Sequence, residues 1–490
     1  MTRNRPGGKA GSAASEGFPR PGRPYDSAMP HPGTAAAVAA AEAAFPALVE
    51  RLKALVRIPS CSFPGFDHAQ VVRSAEATAA WLREAGMPAV EIVTPPGVLP
   101  YVVAEDLRAG PGAPTVLLYA HHDVQPPLRR EVWTSDPFEP VERDGRLYGR
   151  GAADDKAGIM VIAGALAAWG GRPPVNVRVL IEGEEESGSH HMAAFIAAHR
   201  SRLAADALVI ADLANVDTGV PSLTASLRGH VGIEIELRAL RAPLHSGMWG
   251  GAVPDPVMAL CRMVAGLADE RGRIRVPGIL DRVRGPSADE RADLGRVPYD
   301  PERFAELAGL LPGHPPLPDG ATLHERLWRL PALAVNGIQA GTRGQVGNVV
   351  MDAAWARIGI RIVPDQRPDE VRDLLTAWLR TQVPDGMQLT VTDASHGPPW
   401  ATATGHPAFA AMRAALAEGY GREPVTIGCG ASIPFVQAMT EALGGIPALL
   451  IGVEDPACAA HAENESVHLG DLRAACRSLT AFLGRAADGW

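Results

Sequence analysis

The chain contains few cysteines, and their spacing excludes several classes of protein. Five cysteines are scattered over 490 residues, and no two of them form a C-x-x-C pair. An odd and dispersed set argues against a disulfide framework and against a thiolate metal site. It is typical of a reducing compartment, so we expect a cytoplasmic protein.

The chain also lacks long apolar runs and a surplus of basic residues. No run of about 18 uncharged apolar residues occurs, so we expect no transmembrane helix. The N-terminal region has no apolar core of the kind that signal peptides carry. The net charge is −9, whereas nucleic-acid-binding proteins normally carry a basic surplus. We therefore expect neither a nucleic-acid nor a membrane partner.

The composition predicts a folded protein with more than one domain. Hydrophobic residues make up 46% of the chain and charged residues 21%. At roughly 150 residues per domain, the length favours two or three domains. Residues 1–33 are rich in Gly, Pro, Arg and Ser, and we expect a disordered tail there.

Apolar runs and helical patterns alternate along two parts of the chain. Strand-like runs cover residues 115–120, 175–181, 207–211 and 447–451, and residues 157–169 form an apolar helical pattern. This rhythm predicts an α/β fold with a mostly parallel sheet sandwiched by helices.

Between these two parts the pattern changes. Residues 231–237 and 356–362 alternate apolar and polar side chains, which is typical of half-exposed antiparallel strands. We therefore expect a catalytic α/β domain made of residues 34–222 and 396–490, interrupted by an α+β domain at 223–395.

Histidine and acidic residues follow the predicted strands. In chain order these are His121 with Asp123, the acids 184–186, Asp212 and His461. In open α/β sheets, ligands bind beyond the carboxyl ends of the strands. A Gly-rich turn with Asp154 and Asp155, ahead of the apolar helix, adds two further acids. Each feature alone is typical of a loop, a cap or a helix N-terminus, but their shared position predicts a site.

The residue types favour a metal site. Imidazoles and carboxylates without thiolates suit zinc, or manganese and cobalt as substitutes. The groups are numerous enough for two ions that share a carboxylate, an arrangement that activates water for hydrolysis. The surplus acid in 184–186 would then act as a general base.

Three motifs resemble those of a known family. Residues 119–127 (YAHHDVQPP), 149–156 (GRGAADDK) and 182–189 (EGEEESGS) are similar to the signatures of the two-zinc exopeptidases. That family includes cytosolic non-specific dipeptidase, carnosinase, glutamate carboxypeptidase, acetylornithine deacetylase and succinyl-diaminopimelate desuccinylase. The resemblance extends from about Ala37 to the C-terminus and is strongest to the dipeptidase branch.

The resemblance implies a role for each motif residue. His121 and Asp212 would hold the first Zn²⁺, Glu186 and His461 the second, and Asp154 would bridge the two. Glu185 would be the general base of a metal-bridging hydroxide that cleaves the amide bond of dipeptides or similar small peptides. Asp123 would fix the His121 ring, and the family has a cis peptide bond between residues 154 and 155.

The same resemblance assigns the inserted domain as a lid and dimerisation domain. In residues 244–251 (LHSGMWGG), His245 would stabilise the oxyanion in the partner subunit of a homodimer. Four further residues would bind the substrate: Arg361, which suits the C-terminal carboxylate, His396, Ser432 and Asn348.

One departure from the family pattern concerns specificity. The dipeptidase branch reads R-E-G-G-S-I-P where residues 428–434 read GCGASIP, so the Arg and Glu are replaced by Gly428 and Cys429. An Arg at that position would help to hold the substrate carboxylate, so its absence argues against strict dipeptide specificity. An N-acyl-amino-acid deacylase, similar to acetylornithine deacetylase or the desuccinylase, is the alternative on the same two-metal site, and a metal-free interaction protein is a third.

Overall fold

The computed structural model describes residues 31–313, 321–344, 347–431 and 433–489. The predicted disordered tail, residues 1–33, lies outside these ranges except for its last three residues. Among the helices in these ranges, none is both long and apolar enough to cross a membrane.

The first part of the chain alternates strands and helices. Its helices are α1 (Thr34–Val56), α2 (Ala69–Glu84), α3 (Lys156–Ala168) and α4 (Met192–Leu203). Its strands are β1 (Ala89–Val93), β2 (Tyr101–Asp106), β3 (Thr115–His121), β4 (Val141–Arg143), β5 (Arg146–Tyr148), β6 (Asn176–Glu182), β7 (Ala207–Ile210) and β8 (Ser222–Leu227). Helix α3 is apolar nearly all round, and it is buried because it packs against β3 and helix α1.

The middle of the chain forms longer strands with short helices between them. The strands are β9 (Gly229–Arg238), β10 (Leu244–His245), β11 (Ala332–Gln339), β12 (Val349–Val350), β13 (Ala353–Ile362) and β14 (Gln388–Gly397). The helices are α5 (Ser246–Trp249), α6 (Pro256–Gly266), α7 (Ala288–Arg296), α8 (Pro301–Leu307), α9 (Leu323–Trp328) and α10 (Pro368–Thr381).

The last part returns to short strands and longer helices. These are β15 (Trp400–Ala401), α11 (Pro407–Tyr420), β16 (Val425–Cys429), α12 (Pro434–Ala442), β17 (Ala448–Leu450), β18 (Ser466–His468) and α13 (Leu469–Ala486).

A large mixed sheet organises the first and last parts. In the described ranges it has nine strands, eight of them in the order β1-β2-β6-β3-β7-β17-β8-β15, with β16 paired to β8. The central strands β6, β3, β7 and β17 are parallel, which confirms the predicted α/β class. The outer pair β1 and β2 is antiparallel, since a short connection joins the two strands directly.

Alternate side chains of this sheet face two helical layers. Val116 and Leu118 belong to the apolar core that also contains residues of α1, α3, α11 and α13. Leu117 and Tyr119 belong to the core on the opposite face, with residues of α4 and α12. The strands are buried on both faces, which explains their continuous apolar sequence.

A separate antiparallel sheet forms in the middle part, in the order β11-β13-β9-β14. Ile233 and Ile358 lie on its buried face, in one core with Leu375 and Leu379 of helix α10. Glu234 and Arg357 lie on the other face and are half-buried. The period-two pattern of β9 and β13 follows from this one-sided burial.

The chain passes from the large sheet to the small one at Arg228 and returns at Pro398–Pro399. Helices α7 and α9 of the middle part pack against β16 of the large sheet. We propose the predicted division into a catalytic domain (34–222 and 396–490) and an inserted domain (223–395). The strands move its boundaries to near residues 228 and 398, because β8 belongs to the large sheet and β14, with His396, to the small one.

The parallel strands bring four loops to one edge of the large sheet. His121 ends β3 and lies opposite Glu182 at the end of β6. The loops after β7 and β17 also contact each other closely. A Cβ atom on Gly452 would fall onto the backbone carbonyl of Leu213, so only glycine fits there.

We predict that Gly452→Ala lowers the stability of the protein by about 1–3 kcal/mol, the usual cost of overpacking. The added methyl group must push the loops after β7 and β17 apart. Urea denaturation of the two proteins measures the difference. Gly112→Ala is the matched control, because a Cβ atom there meets nothing within 4 Å. Equal midpoints for all three proteins would contradict the close approach.

Candidate metal centre

Three of the predicted ligands form one compact group. The Nε2 atom of His121 lies 2.9 Å from Oδ1 of Asp154 and 3.6 Å from Oδ1 of Asp212. The three ligand atoms lie within 4.8 Å of one another, close enough to hold a single metal ion. His121 ends β3, and Asp212 follows β7 by two residues.

The other predicted ligands form a second group, which shares Asp154 with the first. The Nε2 atom of His461 lies 2.9 Å from Oδ2 of Asp154 and 3.2 Å from Oε2 of Glu186. Asp154 therefore presents one carboxylate oxygen to each imidazole. The His461 side chain is 59% exposed, whereas that of His121 is buried, so the centre opens to solvent on the side of the second group.

A buried carboxylate holds the turn that carries Asp154. Glu465 accepts hydrogen bonds from the backbone N–H groups of Gly151 (2.9 Å), Ala153 (2.9 Å) and Asp154 (3.1 Å). It also accepts one from Nη1 of Arg150 at 2.7 Å. Charge-assisted bonds of this kind are stronger than neutral ones, and together they fix the position of Asp154.

The peptide bond between Asp154 and Asp155 is cis, which confirms the expectation from the family resemblance. Asp155 caps helix α3, since its Oδ1 accepts a hydrogen bond from the Gly158 N–H. Its Oδ2 accepts another from the backbone N–H of His121 at 3.1 Å. The same residue therefore ties the N-terminus of α3 to the end of β3.

Asp123 lies behind His121 and links it to the acidic segment. Its Oδ1 lies 3.4 Å from Nδ1 of His121. The carboxylate also accepts hydrogen bonds from the backbone N–H groups of Glu185 (3.2 Å) and Glu186 (3.0 Å). Asp123 therefore orients one predicted ligand and, through the backbone, the predicted base and a second ligand.

Negative charge is in excess at the centre. Burial raises the pKa of Asp212 and Glu185, and it raises that of Glu186 to about 7, with repulsion from neighbouring carboxylates acting in the same direction. Burial also acts to raise the pKa of Asp154, but hydrogen bonds from His121 and His461 bring it below its usual range. Carboxylates crowded in this way favour bound cations.

Sequence reasoning missed Glu454. Its backbone pairs with Ala214, two residues after Asp212. Burial and the charges of Asp154 and Asp212 raise its pKa well above the usual value. The residue follows β17 by four positions. The rule that applied to the other strands, an acid beyond the carboxyl end, could have found it.

The remaining predicted residues lie on the inserted segment or outside the described ranges. His245 is exposed, and its Nδ1 accepts a hydrogen bond from the Gly247 N–H. Asn348 is also exposed, and its backbone carbonyl accepts from the Ser246 N–H at 2.8 Å. Neither ligand group includes them. Ser432 lies outside the described residues.

Arg361 and His396 lie on β13 and β14, the two strands that flank β9 in the small sheet. Arg361 of β13 lies opposite His230 of β9, and His396 of β14 lies opposite Val231. The pKa of His230 is lowered by burial and by the positive charges of Arg361 and His396. Arg361, His230 and His396 therefore lie at the same end of the small sheet.

Residues 117–485 match the model of Peptidase family M20/M25/M40. The chain belongs to this family. It is 34% identical over 363 residues to a cysteinylglycine-S-conjugate dipeptidase of Corynebacterium striatum, covering 72% of this chain and 77% of the relative. It is 28% identical over 397 residues to the Beta-Ala-His dipeptidase of Homo sapiens, covering 78% and 77%.

A solved dipeptidase structure has a fold similar to that of this chain. The crystal structure of human carnosine dipeptidase 1 superposes with a TM-score of 0.79 and 26% sequence identity, covering 94% of this chain and 100% of the other. The family predicted from the three motifs is thus confirmed, and so is the fold class.

We predict that Asp154→Ala removes more bound metal than His121→Ala or His461→Ala. Asp154 belongs to both ligand groups, whereas each histidine belongs to one. The metal-to-protein ratio after loading with Zn²⁺, Mn²⁺ or Co²⁺ measures the loss. Asp385→Ala, at an exposed turn residue, is the control and should keep the wild-type ratio. Equal losses of one ion in all three variants would show that Asp154 does not bridge.

Proposed function

We propose that this protein is a metal-dependent dipeptidase that hydrolyses the amide bond of dipeptides or similar small peptides. The observation that carries the proposal is the position of Asp154 between two imidazoles. Its Oδ1 lies 2.9 Å from Nε2 of His121, and its Oδ2 lies 2.9 Å from Nε2 of His461. Membership of a peptidase family and the names of the relatives support the choice of substrate.

The donor set fits two divalent cations. His121, Asp154 and Asp212 would hold one, and Asp154, Glu186 and His461 the other. Nitrogen and oxygen donors without thiolates suit zinc, with manganese or cobalt as alternatives. The excess of buried carboxylates supports this assignment, since cations would offset their repulsion. Bound metal ions of this kind polarise the substrate carbonyl and lower the pKa of water.

Glu185 would carry the proton during hydrolysis. It stands one residue before the proposed ligand Glu186, where a carboxylate could take a proton from the attacking water and give it to the departing amine. Its backbone is held by Asp123, which also contacts the ring of His121. Asp123 is therefore a positioning residue for both the base and a ligand.

Arg361 and His396 would bind the C-terminal carboxylate of the substrate. Their position at the same end of the small sheet supports this role, because a guanidinium can hold a carboxylate with two parallel hydrogen bonds. Asn348 and Ser432 would add further contacts to the substrate.

We further propose a homodimer in which His245 acts at the site of the partner subunit. In support, His245 lies in an exposed corner between β10 and α5, beside the exposed apolar side chains of Met248 (76%) and Trp249 (48%). Exposed apolar groups of this size favour contact with another protein surface.

The two competing functions have less support. The relatives named here are dipeptidases, which favours dipeptides over N-acyl amino acids. An interaction protein without metal would have no need for two groups of ligand residues that share a carboxylate. We also propose a cytoplasmic location, because all five cysteines are free.

We predict hydrolysis of dipeptides after metal loading, no hydrolysis after chelation, and little cleavage of N-acetyl or N-succinyl amino acids. Glu185→Gln should keep its bound metal and lose about 10²–10⁴-fold in kcat, the usual worth of a positioned acid–base group. Release of the amino acids from alanylglycine and metal content are measured on the same samples.

Glu423→Gln is the control for the charge change, because Glu423 is exposed and distant in sequence from the centre. It should keep wild-type kcat. Near wild-type kcat in Glu185→Gln would remove Glu185 from the mechanism. Faster cleavage of N-acyl amino acids than of dipeptides would favour the deacylase.

We predict that two inactive variants, Glu185→Gln and His245→Ala, complement each other when their subunits exchange. Crossed sites would place both defects in one site and leave the other intact. Each mixed dimer then regains about half of the wild-type activity. Activity is measured before and after subunit exchange, and light scattering determines the molar mass of the protein in solution.

Mixing Glu185→Gln with Asp154→Ala is the matched control. Each subunit supplies both Glu185 and Asp154 to its own centre. In a mixed dimer one site therefore carries Glu185→Gln and the other carries Asp154→Ala, so both sites stay defective. A monomer, or verified exchange without recovery, would contradict the action of His245 on its partner.

A further inference from the structure

A cavity of about 520 Å³ lies next to the metal centre. Its walls come from the loop after β7 (residues 214–217), from the end of β16 (residues 427–430), and from helices α8 and α9. The catalytic sheet and the inserted segment thus enclose it together. Neither ligand group uses its lining residues.

The inner wall of the cavity is continuous with the loops that carry the acids of the centre. Ala214, which lines the cavity, follows Asp212 by two residues and forms a β-bridge with Glu454. The next residue, Asn215, donates a backbone hydrogen bond of 2.8 Å to the Glu454 carbonyl. The cavity wall and the metal centre therefore share the loops that follow β7 and β17.

The lining is apolar. Helices α8 and α9 contribute Phe304, Leu307, Leu327 and Trp328, and β16 contributes Ile427. Such walls favour the removal of an apolar group from water, by roughly 25 cal/mol for each Å² that is buried.

The polar groups of the lining are neutral or paired. Burial lowers the pKa of His324, which stacks on Trp328 with ring centroids 4.7 Å apart. Burial raises the pKa of the Cys429 thiol. Arg303 and Asp217 lie 2.7 Å apart and pair with each other. Asp300 accepts hydrogen bonds from the backbone N–H groups of Glu302 and Arg303 at the start of α8. A charged side chain that entered the cavity would lose its hydration and would meet charges that are already engaged in other contacts.

Two glycines of β16 and its loop keep the cavity open. A Cβ atom on Gly428 would lie 2.7 Å from Cβ of Trp328, so any side chain there would displace the indole. A Cβ atom on Gly430 would lie 2.9 Å from Nη2 of Arg228. The residues that depart from the dipeptidase pattern, Gly428 and Cys429, both line this space.

We infer that this cavity is a specificity site that receives a large apolar side chain of the substrate, of the size of leucine or phenylalanine. The inference rests on the proposed function, because it takes the dipeptide to be cleaved at the adjacent centre. The cavity would give the enzyme a preference for the substrate side chain, which the metal-ligand residues alone do not determine.

The test compares kcat/KM for two substrate series, Xaa-Gly and Gly-Xaa, in which Xaa is Ala, Leu, Phe or Glu. The wild-type enzyme should prefer Leu and Phe over Ala and Glu in one of the two series by at least about tenfold, the usual worth of an apolar subsite. Leu307→Asp places a carboxylate in the lining and should remove most of this preference, while the Ala-containing substrates of the same series change little. Leu307→Ala should reduce the preference without the added charge.

Leu310→Asp is the matched control. Leu310 is 41% exposed and Leu307 47%, but only Leu307 lines the cavity. The control should keep the wild-type preference. Equal kcat/KM for Leu, Phe and Ala in both series would overturn the inference and leave the dipeptidase standing. A preference for Leu and Phe that Leu307→Asp does not change would also overturn the inference and leave the dipeptidase standing. Failure to cleave any dipeptide would instead overturn the proposed function, and the inference with it.

Discussion

The metal centre depends on the buried carboxylate of Glu465. It is fully buried and accepts three backbone hydrogen bonds from the turn that carries Asp154, together with one from Arg150. A buried charge is costly unless every acceptor position is satisfied, and here donors surround it. The same contacts join the turn before α3 to the segment before β18. Without them the turn would have no fixed direction, and Asp154 could not present one oxygen to each imidazole.

The acids around this turn are crowded, and their crowding has a cost for the folded chain. Burial and mutual repulsion raise the pKa of Asp212, Glu186 and Glu454. The free energy lost in bringing them together is recovered when cations bind, so metal binding and stability are linked. The arrangement favours function over stability in the absence of metal, as is common where charged groups converge at a site.

Much of this arrangement could be predicted from the sequence, because the central strands are apolar on both faces and His121 and Asp212 come directly after them. Glu454 was harder to find, since β17 has only three residues and the acid lies four positions beyond it. The packing of α7 and α9 against β16 could not be predicted either. It depends on contacts between residues about 100 to 140 positions apart, which no local pattern reveals. The anchoring role of Glu465 is hidden for the same reason.

The catalytic sheet is discontinuous in sequence, and this has a consequence for synthesis of the protein. Glu465 and the turn it holds are 311 residues apart, with the whole inserted segment between them. A ribosome makes His121, Asp154, Glu186 and Asp212 long before His461 and Glu465. The growing chain therefore carries a cluster of acids whose partners do not yet exist. The centre can therefore close only after the last part of the chain has been made.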